Sequence, residues 1–381
     1  MLLRITNDPR PYAWGSRSAI AEFRGEAPSG DPEAEVWLGT HPGCPTAVVG
    51  ADAAGLPPTL EEVVAAEGAG DRLPYLLKIL AAASPLSLQA HPTPEQAARG
   101  FERENAAGIP LDAPHRNYKD DNAKPEIIVA VSEHFDALCG FRDPALSAAD
   151  IRELAGDDPA LVSLAERVEA EPLAAVFEWL ITRGEGVDAL VERAAVAAES
   201  ASGPAADTMR MLAAEYPGDP GVVIALLLNR VSLSRGEALF LPAGNIHAYL
   251  SGLGIELMTA SDNVLRGGLT PKHVDVPELL SVLDFTPLPP PFLSALPITD
   301  GVTAFRPQGA GFELVRVRDG AEFTAGPRSI VLSSEGSGTV TAADASPLAL
   351  SRGEAVYVPA GERASVRADA GGELLVAAAA S

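Results

Sequence analysis

Cysteine is nearly absent from this chain. Cys44 and Cys139, the only two in 381 residues, cannot build a disulfide framework and lack the clustered spacing of a thiolate metal site. Free thiols suit a reducing compartment, so the cytoplasm is the expected location. No apolar run approaches the roughly eighteen residues of a membrane helix. The N-terminus, Met1-Leu2-Leu3-Arg4-Ile5-Thr6-Asn7, lacks the apolar core of a signal peptide. Lysine is almost as scarce: Lys78, Lys119, Lys124 and Lys272 are all of it, and arginine supplies the other basic residues. The formal net charge of −24 disfavours nucleic acid and anionic membrane as partners, because both would be repelled. An anionic small molecule would need local positive charge in so acidic a protein, which makes each lysine a candidate.

What is present is an ordinary globular balance, 47% apolar and 21% charged, with length enough for two or three domains. An internal repeat is the most informative local feature. Leu233-Ser234-Arg235-Gly236-Glu237-Ala238-Leu239-Phe240-Leu241-Pro242-Ala243-Gly244 returns as Leu350-Ser351-Arg352-Gly353-Glu354-Ala355-Val356-Tyr357-Val358-Pro359-Ala360-Gly361. Each copy reads as a Gly-Glu turn, a short apolar strand and a Pro-x-Gly turn. Such units are typical of antiparallel jelly rolls, the cupin class among them. The first copy continues to His247, and the second has Ala364 at the same place. Two related β-rolls are expected, of which the first alone keeps a metal ligand.

The pattern changes between about 146 and 221. Leu173, Val176, Phe177 and Leu180 fall at helical spacing among alanine-rich stretches. Asp158-Pro159 and Asp219-Pro220 suit helix starts, and Gly184 suits a helix end. The proline run from Thr286 to Pro291 then reads as a linker. The expected fold is mainly β, two cupin-type jelly rolls with an α-helical insert domain. Residues 1–145 and 222–285 form the two parts of a catalytic cupin domain, 146–221 the insert, and 286–381 a C-terminal cupin-like domain lacking the metal site.

Ser87-Leu88-Gln89-Ala90-His91-Pro92 reads as a strand stopped by proline, followed by a helix start with a capping box at Thr93-Pro94-Glu95-Gln96. Residues two apart on a strand share a face, so Gln89 and His91 can reach one ion. In Asn122-Ala123-Lys124-Pro125-Glu126-Ile127-Ile128-Val129, Pro125 forces extended backbone, and Lys124 and Glu126 share a face. Two histidines, one glutamate and one glutamine suit Zn²⁺ with a position left for water or substrate. A third polar, glycine-bearing stretch, Ser261-Asp262-Asn263-Val264-Leu265-Arg266-Gly267-Gly268-Leu269-Thr270-Pro271-Lys272-His273, reads as a loop that turns Asp262, Arg266 and Lys272 towards a site.

Together these pieces resemble the type I mannose-6-phosphate isomerases (phosphomannose isomerases), zinc enzymes of the cupin superfamily. The resemblance also takes in Pro11-Tyr12-Ala13-Trp14-Gly15-Ser16, Glu35-Val36-Trp37-Leu38-Gly39-Thr40-His41-Pro42, Leu73-Pro74-Tyr75-Leu76-Leu77-Lys78, Leu138-Cys139-Gly140-Phe141-Arg142 and Pro242–Tyr249. It implies one Zn²⁺ per chain on Gln89, His91, Glu126 and His247, with Arg266 in the catalytic site. The implied reaction interconverts mannose 6-phosphate and fructose 6-phosphate by moving a proton between C2 and C1 through an enediolate. Asp262, Glu256 and Lys124 are the candidates for the base. Ser87, Lys78 and Lys272 are the candidates for phosphate contacts. One departure stands out: Ala123 occupies the position before Lys-Pro-Glu where family members often carry histidine, so another group or a water must take over that role. The implied partner is a small sugar phosphate, with a monomer favoured. The competing readings are a non-haem metal cupin oxygenase and a catalytically inactive sugar-phosphate-binding cupin.

Overall fold

The computed structural model of the chain describes residues 1–68, 70, 72–343 and 345–380. Strands outnumber helices, and they pair antiparallel throughout the described sheets. One strand, His247–Thr259, organises the first sheet. Its beginning pairs with Gln89 and with Cys139, and its second half pairs with Tyr75–Ala82 on one side and Glu126–Ala130 on the other. The register shifts between Tyr249 and Ser251, and Gly252 follows with φ of +119°. A Cβ there would lie 2.8 Å from the His134 carbonyl oxygen, so the bend that lets one strand serve both groups of partners requires glycine.

Alternation along these strands sets which side chains face the site. Leu88, Ala90, Ile246 and Ala248 are buried in a core shared with the helices. Gln89 and His247 lie between them and must point to the opposite face. The helices run from Pro144–Ala155 through Pro159–Ala170, Leu173–Ile181, Val187–Ser200 and Pro204–Glu215 to Gly221–Ile224. Leu173, Val176, Phe177 and Leu180 are all buried, as their spacing predicts. Phe177 meets Phe141 of the sheet edge-on at 5.8 Å, and its truncation to alanine would cost about 3–5 kcal/mol. Asp158 caps its helix through Ala160 and Leu161 as expected. Gly184 follows the end of Leu173–Ile181, but Arg183 adopts the left-handed conformation there, at φ of 53°. Asp219 also departs from a simple cap, as described below.

A second sheet and a smaller four-stranded sheet are built chiefly from residues beyond 295, and they enclose a separate apolar core. Leu3–Thr6 pairs with Ala355–Val358, so the first strand of the chain adds to the sheet formed by its last part. The sequence repeat is also a structural repeat. Ser234 N–H donates to Glu237 Oε2 at 2.8 Å, and Ser351 N–H donates to Glu354 Oε2 at 2.7 Å. Strands Ala238–Leu241 and Ala355–Val358 follow, and the next strands begin at His247 and Ala364.

Candidate metal centre and substrate pocket

His91, Glu126 and His247 converge, with one ligand atom from each lying within 4.8 Å of the others. His91 Nε2 is 3.3 Å from Glu126 Oε1, and His247 Nε2 is 3.4 Å from Glu126 Oε2. All three residues are almost completely buried, yet His91 Nε2, His247 Nε2 and Glu126 Oε2 make no hydrogen bond. Buried polar atoms left without partners are costly unless something else satisfies them. The other ring nitrogens explain the arrangement. His91 Nδ1 lies 2.8 Å from the Asn263 carbonyl, and His247 Nδ1 lies 3.0 Å from the Asn245 carbonyl. A carbonyl can only accept, so each Nδ1 carries the proton and each Nε2 turns a lone pair inward. This is how metal-binding histidines are held, and the residues fit a divalent cation.

Gln89 is paired in register with His247 on one side and with Arg266 on the other. Directly opposed residues of antiparallel strands share a face, so the three side chains form a row. Lys124 Nζ closes the other flank at 2.9 Å from Glu126 Oε1. Burial pushes the Glu126 carboxyl up, but Lys124, His91 and His247 outweigh it and hold the group well below its ordinary value. Burial, aided by the Lys124 ammonium, pushes His91 down to about 4.

Beside this centre lies a second buried polar cluster. Lys78 Nζ sits 3.1 Å from Glu256 Oε2 and 3.5 Å from Glu35 Oε1, over the Trp37 ring. Trp37 Nε1 donates to Glu35 at 2.7 Å, and the Tyr249 hydroxyl donates to Glu256 at 2.9 Å. Burial opposes the charge on Lys78, yet Glu256 and Glu35 hold its ammonium above the usual value. Burial raises Glu256 in spite of Lys78. Thus Lys78, expected among the phosphate contacts, is engaged by carboxylates.

Asp262 is more exposed, and His41 Nε2 reaches it at 3.0 Å. The Gly43 N–H donates to His41 Nδ1, so Nε2 carries the proton and donates to Asp262. Burial acts upward on Asp262, but the His41 hydrogen bond prevails and lowers it.

Arg266 and Lys272 have a different environment. Among the described residues no carboxylate forms an ion pair with either side chain. Burial lowers Arg266, and burial with the charges of Arg266 and Lys119 lowers Lys272. Lys272 thus lies within electrostatic reach of two other cations, Arg266 and Lys119, the second of which also acts on Asp262. Ser87 is half-buried two residues ahead of Gln89. A cavity of about 330 Å³ elsewhere, between the helices and the sheet around Arg142 and Arg230, includes none of these side chains.

Patterns in the sequence assign no role to Glu35, Tyr249, His41 or Asn263, and only its scarcity as a lysine singles out Lys119. Glu35 carried a usable signal, a carboxylate opening the strand Glu35–Leu38 whose every residue is buried. Asn263 carried none, because its importance lies in long-range bonds to 119–122.

Residues 2–144 match the model of the phosphomannose isomerase type I catalytic domain. The chain is 40% identical over 310 residues to the mannose-6-phosphate isomerase of Escherichia coli K12, covering 78% of each. It is 33% identical over 402 residues to mannose-6-phosphate isomerase 1 of Arabidopsis thaliana, covering 94% of this chain and 89% of that one. The solved mannose 6-phosphate isomerase of Salmonella typhimurium bound to fructose 6-phosphate and zinc superposes with a TM-score of 0.87, at 32% identity and over 99% of both chains. Similarity of this depth over this much of its length makes the chain a member of the type I phosphomannose isomerase family.

Proposed function

We propose that the chain interconverts mannose 6-phosphate and fructose 6-phosphate with one zinc held by His91, Glu126, His247 and Gln89. The observation that carries this reading is the convergence of three buried, unpartnered ligand atoms whose histidine tautomers are set by backbone carbonyls. Held there, zinc would supply Lewis-acid stabilisation of the charge that develops on the C1 and C2 oxygens of the opened sugar.

The protein's own groups divide the remaining work. Glu256 is the base that takes the C2 proton and returns it at C1. Its raised affinity for a proton suits the task, and Lys78, which opposes that rise, keeps it oriented. Lys124 sits against Glu126 and orients that ligand. Asp262, oriented by His41, is partly exposed and within electrostatic reach of Lys124, which suits it to the ring-opening proton transfers left without a histidine by Ala123. Arg266, Lys272, Lys119 and Ser87 receive the phosphate. Clustered positive charge is what an anionic substrate needs in a protein of net charge −24.

We read residues 1–145 and 222–285 as a cupin-type roll carrying the site, 146–221 as a helical insert, and 286–381 as a second roll without a site. Ala364 in place of His247 supports the last point. Both cysteines are free and buried, which supports a reducing compartment, the cytoplasm. Among the described residues no helix is long and apolar enough to cross a membrane. The reading is tested by turnover of mannose 6-phosphate, with metal content measured on the same sample. Isomerisation with about one zinc per chain is expected. Stoichiometric zinc without turnover would leave the inactive binding module as the better description.

A further inference from the structure

The helices end on a contact with the substrate loop. Asp219 lies just before the short helix Gly221–Ile224, and its Oδ1 accepts the Gly221 N–H at 2.7 Å as a local turn would. The same oxygen accepts the Leu269 N–H at 2.9 Å, fifty residues further along the chain, and Oδ2 faces the Thr270 N–H at 3.4 Å. Leu269 has φ of +53°, a left-handed conformation that a leucine adopts only when its surroundings hold it there. Gly268 and Gly221 make the approach possible. A Cβ on Gly268 would lie 3.1 Å from Gly221 Cα, and one on Gly221 would lie 2.8 Å from Leu269 N. Upstream, Gly267 N–H donates to the Leu88 carbonyl and Arg266 pairs with Gln89. The segment carrying Arg266 and Lys272 is thus fastened to the metal-site strand before the turn and to Asp219 at the turn.

We propose that Asp219 is a positioning residue for substrate binding, its carboxylate fixing the Leu269–Thr270 turn so that Arg266 and Lys272 present their charges to one phosphate. This rests on the reading of Arg266 and Lys272 as the phosphate site. Asp219 itself touches neither substrate nor metal. Its loss moves the two cations relative to each other and leaves the histidines and Glu126 in place.

The test is steady-state kinetics with mannose 6-phosphate on zinc-loaded protein, with inorganic phosphate as a competitive inhibitor. Asp219→Ala is expected to raise KM on the order of ten- to a hundredfold. The inhibition constant for phosphate should rise in parallel, while kcat stays within a few-fold and zinc content is unchanged. Asp219→Asn keeps Oδ1 as an acceptor for both short bonds and should restore most of the affinity. A merely structural role would damage Asn and Ala variants alike, or lower kcat and zinc together with affinity, and either result overturns the proposal. If Arg266→Ala and Lys272→Ala leave KM and phosphate inhibition unchanged, the phosphate reading itself has failed. If those two variants lose affinity and Asp219→Ala does not, only the positioning role is lost. Should Asp219→Ala not fold, Gly221→Ala pushes on the Leu269 amide from the same side. It is expected to raise KM likewise, and an unchanged KM there overturns the inference.

Discussion

Lys78 and Glu256 face one another across paired strands with Nζ and Oε2 3.1 Å apart, and each is almost wholly buried. An ion pair in such a place contributes little net stability when intact and costs a great deal when halved. Lys78→Met leaves Glu35 and Glu256 buried together without their cation. A loss of about 3–5 kcal/mol in denaturant unfolding is expected.

Glu256→Gln removes the proposed base while keeping an acceptor for the Tyr249 hydroxyl. We expect kcat to fall by roughly two to four powers of ten, with zinc retained. Exchange of the C2 proton with solvent deuterium, followed by NMR, should stop as well. Retained exchange with a full kcat would move the base to another residue.

His247→Ala should abolish both zinc retention and turnover, since it removes one of the converging ligand atoms. His134→Ala and His273→Ala should keep about one zinc per chain, because both side chains are exposed and outside the cluster. Elemental analysis of the three purified variants decides this. A second ion per chain in the parent would contradict the distinction drawn between His247 and Ala364.

The proposed ligand residues stand out in the sequence because their geometry is local. Gln89 and His91 are set two apart on one extended segment, and Pro125 makes the backbone before Glu126 extended. The repeat was legible because a Gly-Glu turn writes the same hydrogen bond, Ser234 to Glu237 and Ser351 to Glu354, into both copies. Lys78 was legible as unusual, but its partners were not. Glu35 and Glu256 reach it through strand register, which depends on the whole sheet. The joining of Leu3–Thr6 to Ala355–Val358 is similarly non-local, since nothing in a four-residue strand names a partner some 350 residues away. Asp219 read as a helix cap because the carboxylate does bond Gly221, and its second bond crosses to a segment that local pattern cannot reach.

Asn263→Ala tests the backing of the metal site. Asn263 Oδ1 accepts from the Lys119 and Asp120 amides, and Nδ2 donates to the Asp120 and Asn122 carbonyls. Its own carbonyl orients His91. Losing the side chain takes a partner from several part-buried backbone groups, at up to about 1–3 kcal/mol each, and loosens both loops. Zinc affinity, measured by competition with a chelator, should fall by about ten- to a hundredfold. An unchanged affinity would show that the carbonyl stays in place without the side chain.

The metal-free protein should lose stability as pH falls from about 6.5 towards 4, and the sign follows from His91. Burial and the Lys124 ammonium push His91 down to about 4, against 6.5 when the chain is unfolded. Between these values the unfolded chain binds a proton that the native site rejects, so acidification favours unfolding. The full shift is worth on the order of 3 kcal/mol. Glu126 acts in the same direction, though lower on the scale. Its carboxyl is held well below 4.5, so the stability it contributes is present above the unfolded value and is lost as pH drops through the folded one. Zinc should flatten the upper part of this profile, because the cation takes the lone pair for which protons otherwise compete. Thermal unfolding of chelator-treated and zinc-loaded protein across pH 4 to 7 checks both statements. In His91→Gln the metal-free profile should lose its slope near pH 6. If the slope persists there, its source is a group other than His91.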